Sequence, residues 1–239
     1  MTLLTEPTRI VLAKGQPVPN DPNFAFNSLL LHGNGTNGST VITDSSGSPK
    51  AVTAFGNAQI STAIADPFGN STGVIAFDGT GDYIAIAEAS GSFTFGTGDF
   101  TIEFWLYPSN LTGTAIIAEW RNAAGGGQFI TLYRDGSTLY FFESSNRITG
   151  TSALTNTVFQ HIALSKGSNL TRLFVNGIQV GSNYADTTSY LAPQSGSIYF
   201  GGLLGTFSTA GFIDDLRITK GVARYTANFT PPTAPFPDF

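Results

Sequence analysis

A stretch over residues 159–181, FQHIALSKGSNLTRLFVNGIQVG, constrains the fold more than any other part of the chain. Two runs that favour β structure, HIALSK and TRLFV, flank a Gly-Ser-Asn turn, and a third run, IQV, follows Asn176-Gly177. Asn-Gly between β-forming runs is a strong hairpin signal, because a type I′ turn needs positive φ at both central residues. The stretch therefore predicts three consecutive antiparallel strands.

The rest of the chain after residue 27 continues this pattern of short β-forming runs separated by Gly, Ser, Asn and Asp turns. Asp135-Gly136 predicts a second tight hairpin, and the run at 99–107 carries bulky side chains on both of its faces. Frequent strands without a helical period indicate an antiparallel sandwich. The predicted strands cover residues 28–32, 39–43, 73–77, 82–87, 99–107, 114–120, 128–133, 137–142, 159–166, 171–175, 197–202 and 211–219.

Composition excludes several function classes. The net charge is −5 and no cluster of Lys or Arg occurs, so the chain lacks the basic surface that nucleic-acid binding requires. It has no cysteine, which excludes disulfides, thiolate chemistry and Cys-based zinc sites. Its apolar runs are far shorter than the roughly 18 residues that a membrane span needs. We therefore expect no nucleic-acid partner and no membrane insertion.

Residues 1–26 differ from the remainder, because they contain four prolines and one short apolar run, RIVLA, at 9–13. This spacing predicts an extended N-terminal arm over 1–26 and a single domain over 27–239. Two interpretations of the arm stay open. It is either a disordered tail or an assembly arm that pairs its strand with a neighbouring chain, which would make the protein a homo-oligomer. An early acid, Glu6, and Pro7 also argue against a signal peptide.

Several blocks resemble the laminin-G-like group of concanavalin-A-like lectin/glucanase jelly rolls. They are SLLLHGNGTNGSTVITDSSG, FDGTGDYIAI, GDFTIEFWLYP, the 159–181 meander and GFIDDLRITKGVARY. The resemblance implies an all-β fold, a jelly-roll sandwich of two antiparallel sheets with an extended N-terminal arm. Phe159-Gln160 departs from the family, which often has Trp-His at this strand start. The tail at 220–237 is similar to versions found in bacteriophage structural proteins and in bacterial surface proteins.

The resemblance, the arm and the missing signal peptide together predict a non-enzymatic virion protein. It would decorate a capsid or belong to the tail, contact other virion proteins, and present a lectin-like surface to host-surface glycans. The alternative is a bacterial extracellular or cell-surface carbohydrate-binding module. A glycoside hydrolase is the third possibility, because the wider superfamily includes glucanases.

Catalytic pairs are hard to find in the sequence. A glycosidase needs two carboxyl groups about 5–9.5 Å apart, but the five glutamates stand singly. Asp99 and Glu103 share a strand face, yet four residues separate them by about 13 Å. The two histidines, His32 and His161, are most simply explained as hydrogen-bonded strand residues. We therefore expect no enzymatic activity.

Loop aromatics supply the candidate ligand site, because recognition residues concentrate on loops that a rigid scaffold holds. Trp120 offers a large flat face before a Gly-rich loop, and Phe207 lies in a later loop. The alternative for each aromatic is that it packs into the core, so that Trp120 closes one end of the sandwich. The predicted ligand-binding residues are Trp120, Arg121, Asn122, Tyr184 and Tyr190.

Asp214 is the candidate metal ligand. In FIDDLRI it shares the strand parity of Phe212 and Leu216, which predicts a carboxylate on the core side that must be paired, hydrogen-bonded or metal-bound. The resemblance implies a structural Ca²⁺ at this edge in some relatives, held by this Asp with carbonyls of an early loop. The alternative is an Asp that accepts backbone N–H bonds in a turn.

Overall fold

The computed structural model describes residues 20–121, 129–193 and 195–239. These residues form fifteen β-strands and one short 3-10 helix, Phe24–Phe26. No helix among them is long and apolar enough to span a membrane. The strands are β1 (Asn27–Leu31), β2 (Val52–Phe55), β3 (Gln59–Ser61), β4 (Val74–Asp78), β5 (Tyr83–Ala87), β6 (Phe100–Pro108), β7 (Thr114–Glu119), β8 (Thr131–Asp135), β9 (Thr138–Glu143), β10 (Ser145–Gly150), β11 (Gln160–Gly167), β12 (Leu170–Val175), β13 (Ile178–Ala185), β14 (Ser197–Phe200) and β15 (Ala210–Lys220).

The strands form two antiparallel sheets, which confirms the predicted jelly-roll sandwich. Sheet A has the order β13-β12-β11-β6-β15-β4-β3, with β1 also paired to β15. Sheet B has the order β10-β9-β8-β7-β14-β5-β2. Both predicted hairpins are present, and Asn176 and Gly177 have the positive φ values, 49° and 74°, that the β12–β13 turn requires.

The core lies between the sheets and follows the alternation read from the sequence. On β6, Phe100, Ile102 and Phe104 are fully buried and belong to the central hydrophobic cluster. Thr101, Glu103 and the side chains that alternate with them point to the outer side of sheet A. Both faces of β6 are therefore covered, as its bulk on both sides predicted.

One predicted strand is wrong. Residues 39–43 form a loop, and the only pairing nearby is an isolated bridge between Leu31 and Asp44. The buried Asp44 carboxylate organises this loop by accepting backbone N–H bonds from Leu30, Ser46 and Lys50 at 3.0, 2.9 and 2.7 Å. A side chain that satisfies three amides replaces the ladder bonds that a strand would have made. The sequence also missed β2, β3 and β10.

Residues 221–239, here called the cover segment, lie across the outer face of sheet A. Tyr225 and Phe229 stack with ring centroids 3.6 Å apart, and both rings contact Phe174 on β12. Residues 20–26 also pack here, because Asp21 is buried and its N–H donates to the Phe239 carbonyl at 3.0 Å. The part of the predicted arm over 1–19 lies outside the described residues.

A charged network is buried beneath the cover segment. Glu103 accepts two hydrogen bonds from Arg217, at 2.9 and 2.8 Å, and one from the Tyr225 hydroxyl at 2.7 Å. Arg217 and Arg224 also bind Asp21. Burial alone would raise the pKa of Glu103, but the positive charge of Arg217 and the contact with His161 outweigh it and hold the pKa at about 2. Glu103, Arg217, Arg224 and Asp21 therefore form a mutually paired ionic cluster on the outer face of sheet A.

Candidate functional site

The outer face of sheet B carries aromatic side chains that are only half-buried. Tyr133 on β8 faces Tyr140 on β9, and their rings stack 4.6 Å apart at an angle of 9°. Phe142 faces Thr131 in the next row of the same hairpin. Their neighbours Leu132, Leu139 and Phe141 point into the core, so strand alternation places these three rings outside. The hairpin thus presents half-buried aromatic side chains on the outer side of sheet B.

Tyr133 and Phe142 form one wall of a groove of about 180 Å³. The loop that follows β14 supplies the opposite wall, because Phe207 stands over the sheet with 60% of its surface exposed. A hydrogen bond of 2.8 Å from the Ile116 N–H to the Phe207 carbonyl fixes this loop to β7. The residues that line the groove are Thr114, Ile116, Arg121, Thr131, Tyr133, Phe142 and Phe207.

Glu119 lies beneath the groove and is fully buried. Its carboxylate accepts a hydrogen bond of 3.0 Å from the Thr131 hydroxyl and pairs with Arg121 at 3.3 Å. Burial raises the pKa of Glu119 to about 7, although Arg121 and Thr131 act in the opposite direction. Arg121 in turn lies over the Phe129 ring, 4.9 Å from its centroid. The groove therefore combines apolar walls with the Arg121 cation, and the Glu119 carboxyl group is buried beneath it.

Aromatic side chains continue across the other half of sheet B. Phe55 on the edge strand β2 stacks on Tyr83 at 4.6 Å, and Tyr83 meets Tyr199 edge to face at 6.0 Å. Tyr199 lies opposite Glu119 in the ladder between β14 and β7. We call the outer side of sheet B that carries these rings, from Phe55 to Phe142, the aromatic face. It is far larger than one sugar ring.

Two of the residues singled out in the sequence meet at this groove, namely Arg121 and Phe207. Trp120 does not, because it is only 4% exposed and packs into the central cluster, with its ring 5.9 Å from Phe200 and 6.3 Å from Phe95. The structure therefore places Trp120 in the core at a strand end, as the alternative interpretation expected. Asn122 lies outside the described residues.

Tyr184 and Tyr190 lie away from the groove. Tyr190 is 1% exposed, and its hydroxyl donates to Asp186 at 2.9 Å, so it is a core residue rather than a ligand contact. Tyr184 belongs to β13 of sheet A and is half-buried against Phe141, with Arg147 over its ring. The loop at 184–190 is therefore not part of this site.

Asp214 is buried, as predicted, but it does not lie on the core side of sheet A that strand alternation had predicted. A β-bulge between Asp214 and Arg217 inserts residues into β15, and Asp215 takes a left-handed φ of 46°. Asp214 consequently lies opposite Trp105 on the outer side of sheet A, whereas Leu216 returns to the core. Burial and the neighbouring Asp215 raise the pKa of Asp214 to about 9.

The Asp214 carboxylate lies against the early loop that contains Gly33. Within the described residues its Oδ1 has no hydrogen-bond partner, and a side chain at Gly33 would stand only 2.5 Å from that oxygen. The backbone of the early loop therefore approaches the carboxylate closely, and a Ca²⁺ ion takes carboxylate and carbonyl oxygens. No group of three His, Cys, Asp or Glu side chains suited to a metal occurs in the described ranges. A Ca²⁺ ion at Asp214 therefore stays a prediction.

Sequence reasoning missed Tyr133 and Phe142, which form the groove's aromatic wall, and Tyr140, which stacks on Tyr133. A signal was present in the hairpin sequence TLYRDGSTLYFF, residues 131–142, where aromatic residues occupy the positions that alternate with Leu132 and Leu139. A polar outer face would be usual for such a hairpin, since antiparallel sheets commonly face water on one side. Aromatic residues at the solvent positions of this hairpin depart from that usual pattern.

Comparison with known proteins assigns this chain to a family. A family model described as the concanavalin A-like lectin/glucanases superfamily matches residues 78–224, more than half of the chain. The chain belongs to this superfamily. No curated protein is similar to it in sequence.

Solved structures share the lectin-like fold at low identity. The receptor-binding domain of botulinum neurotoxin D superposes with a TM-score of 0.62 at 14% identity, over 84% of this chain and 50% of the toxin domain. Domain 4 of AbnA, a GH43 extracellular arabinanase from Geobacillus stearothermophilus solved in complex with arabinotriose, superposes with a TM-score of 0.59 at 16% identity. That match covers 82% of this chain and 93% of the arabinanase domain. The chain thus spans about half the length of the toxin domains that it matches.

Proposed function

We propose that this protein is a carbohydrate-binding module and that the groove on sheet B is its glycan site. The observation that carries the proposal is the pair of stacked tyrosines, Tyr133 and Tyr140, extended by Phe142 at the groove wall. A half-exposed ring can stack on the apolar C–H face of a sugar, while tyrosine hydroxyls remain available as polar contacts. The Tyr133 hydroxyl already donates to Asn146 at 2.8 Å, which fixes its ring.

The polar groups of the groove suit sugar hydroxyls. Thr114 and Thr131 provide hydroxyl groups, and Arg121 provides N–H donors from a side chain that is one-third exposed. Ligand sites generally combine such mostly apolar walls with a few fixed polar groups. The arabinanase domain named above was solved with arabinotriose, and the same fold here supports a saccharide ligand of this general kind.

Binding is favoured over hydrolysis by the residues at the groove surface. None of the described residues that line it carries a carboxyl group, whereas glycoside hydrolysis requires two carboxyl groups flanking the scissile bond. One observation keeps a hydrolase as the second candidate. Glu119, with its pKa raised to about 7, has the property expected of a general acid.

We further propose that the module works on a virion, where it attaches the particle to host-surface glycans. The support is the resemblance of the 220–237 tail to phage structural proteins and the apolar run in the predicted arm. A bacterial cell-surface module is the alternative setting. Deletion of residues 2–19 should lower the oligomer mass measured by light scattering and the incorporation into particles. Unchanged mass and incorporation would remove the assembly role of the arm.

The glycan site is tested by screening the protein on an array of neutral and acidic glycans, then measuring the affinity of variants. Tyr133→Ala and Phe142→Ala should weaken binding at least about tenfold, which corresponds to about 1.4 kcal/mol, with the melting temperature nearly unchanged. Tyr184→Ala is the matched control, because this half-buried tyrosine lies outside the groove and should leave affinity intact. Equal binding by all three variants would contradict the proposed site.

The hydrolase alternative has its own test. Wild-type protein is incubated with each polysaccharide that it binds, and reducing ends are measured over time. No release of reducing ends supports the binding module. Turnover that disappears in Glu119→Gln would establish a glycosidase instead.

A further inference from the structure

A second cleft lies on the opposite side of the molecule, at the β3–β4 edge of sheet A. Its volume is about 550 Å³, within the range of roughly 300–1,000 Å³ that is typical of small-molecule sites. The ladder pairs Gln59 with Ala76 and Ala76 with Phe212, so these side chains share one row of the outer face. The residues that line the cleft are Thr40, Gly56, Asn57, Ala58, Gln59, Ala76, Phe77, Asp78 and Phe212.

The polar side of the cleft is a paired amide and carboxylate. Asn57 Nδ2 donates to Asp78 Oδ2 at 3.0 Å, and both side chains are exposed. Asp78 Oδ1 accepts the Thr80 N–H at 2.7 Å, which fixes the orientation of the carboxylate. The pair thus presents a hydrogen-bond donor and an acceptor side by side.

A buried acid holds this pair in place from below. Asp82 is fully buried, accepts the Asp78 N–H at 2.7 Å through Oδ2, and accepts the Asn57 N–H through Oδ1. Gly56 has a φ of +67°, and a side chain there would collide with Asp82 Oδ1, so the turn requires glycine. The donor and acceptor are therefore preorganised, which lowers the entropy cost of binding a ligand.

The floor of the cleft is apolar and aromatic. Phe212 is half-buried, and its ring meets Tyr107 edge to face at 5.5 Å, while Tyr107 meets Phe159 at 5.2 Å. A sugar ring has an apolar C–H face and adjacent hydroxyl groups on its edge. One hydroxyl can donate to the Asp78 carboxylate while its neighbour accepts from the Asn57 amide, and the C–H face can rest on Phe212.

We propose that this cleft is a second sugar-binding site, selective for neutral sugars with two adjacent hydroxyl groups. The charge of Asp78 disfavours acidic sugars, because like charges repel at close range. The cleft uses no residue of the groove on sheet B and does not depend on it. Sites on opposite outer faces let one molecule bridge two polysaccharide chains, which raises avidity for a multivalent surface.

The test uses four proteins: wild type, a groove variant (Tyr133→Ala with Phe142→Ala), a cleft variant (Asn57→Ala with Asp78→Asn), and the combination. Binding to immobilised arabinan, xylan, mannan and β-glucan is measured for each. The groove variant should retain binding to at least one of these polysaccharides, and the cleft substitutions should reduce that residual binding at least tenfold. Asp99→Asn is the matched control, since this carboxylate also accepts a backbone N–H bond but lies outside both sites.

The outcomes separate the two sites. Two results contradict the proposed sugar site in the cleft. Either the residual binding survives the cleft substitutions, or the groove variant binds none of the four polysaccharides. Binding lost only with the cleft substitutions supports the cleft and contradicts the groove. A direct measurement is the NMR signal of the Asn57 side-chain amide during titration with arabinotriose to millimolar concentration. We expect this signal to shift when the groove variant is titrated. If the signal does not shift and the groove variant still binds polysaccharide, the cleft is not the binding site.

Discussion

The two outer faces of the sandwich differ in what they cover and what they leave open. Sheet A hides Glu103 and Arg217 beneath the cover segment, and these two charges pair with each other and with Arg224 and Asp21. Sheet B leaves Tyr133, Tyr140 and other rings of the aromatic face half-exposed, although apolar rings are the groups that folding would most readily bury. Proteins usually bury aromatic side chains and expose charged ones. Here charged side chains are buried on sheet A, and aromatic side chains are half-exposed on sheet B. We infer that the face of sheet A serves mainly stability, except at its β3–β4 edge, and that the aromatic face serves recognition.

The largest effect is expected from removing a charge beneath the cover segment. Glu103→Ala leaves Arg217 buried without its partner, which should lower the free energy of unfolding by about 3–5 kcal/mol. Denaturant unfolding measures this loss. Because the folded pKa of Glu103 is about 2 and its ordinary value is 4.5, its contribution is present above pH 4.5 and is lost as pH falls toward 2. A wild-type-like midpoint in Glu103→Ala would show that this ionic cluster is not structural.

A second substitution compares a buried ring with an exposed one. Trp120→Ala removes a core side chain and should cost about 3–5 kcal/mol of stability, whereas Tyr133→Ala should reduce glycan affinity with little change in melting temperature. Calorimetric melting and glycan titration of both variants measure the contrast. If Trp120→Ala loses glycan binding but keeps its stability, Trp120 is a ligand contact rather than a core residue.

Asp214 tests whether every buried charge on sheet A is satisfied by protein alone. Asp214→Ala should cost about 1–3 kcal/mol if the group is buried in its neutral form. With a folded pKa of about 9, that neutral form loses its stabilising contribution as pH rises from the ordinary value of 3.8 toward 9. If Ca²⁺ binds, it should raise the melting temperature of the wild type, more at pH 8 than at pH 5.

The control for Asp214 is Asp214→Asn, which keeps the shape of the side chain and removes its charge. This variant should show no Ca²⁺ response in melting experiments with EDTA and with added Ca²⁺. If neither EDTA nor Ca²⁺ changes the melting temperature of the wild type, the prediction of a bound Ca²⁺ ion is wrong. If Asp214→Ala is as stable as the wild type, Asp214 has no structural role either.

The smallest effect is the pH dependence of glycan binding in the groove. Above pH 7 Glu119 is ionised and holds Arg121 toward the groove, whereas protonation below pH 7 weakens that pairing. Affinity should therefore fall a few-fold between pH 8.5 and pH 5.5, as measured by isothermal titration calorimetry. In Glu119→Gln the affinity should be nearly independent of pH, and an identical pH profile in this variant would exclude Glu119 as the cause.

The sheets were largely predictable from sequence because their signals are local. The Asn176-Gly177 turn and the alternation along β6 each depend on neighbouring residues only, and the structure confirms both. Asp214 was misplaced because one bulge reverses the parity of every later residue in the strand, and no local pattern marks it. The exposed aromatic wall was missed because hydrophobic side chains on a strand are ordinarily assigned to a core.

Trp120 shows a further limit of sequence reasoning. A tryptophan at a strand end can point toward either side, and only the packing of Phe95 and Phe200 decides it. The groove joins residues from β7, β8, β9 and the loop at 207, which are distant in sequence. Their meeting depends on the strand order of sheet B, which no single segment specifies.

The hydrogen bond between Asp21 and the Phe239 carbonyl has a consequence for orientation. The chain enters the described domain and reaches residue 239 at the same place, on the side of sheet A. A group attached at Phe239 would therefore stand on the side of sheet A. The aromatic face of sheet B would then be directed away from the attachment, as the contact surface of a sensor is directed away from its mount.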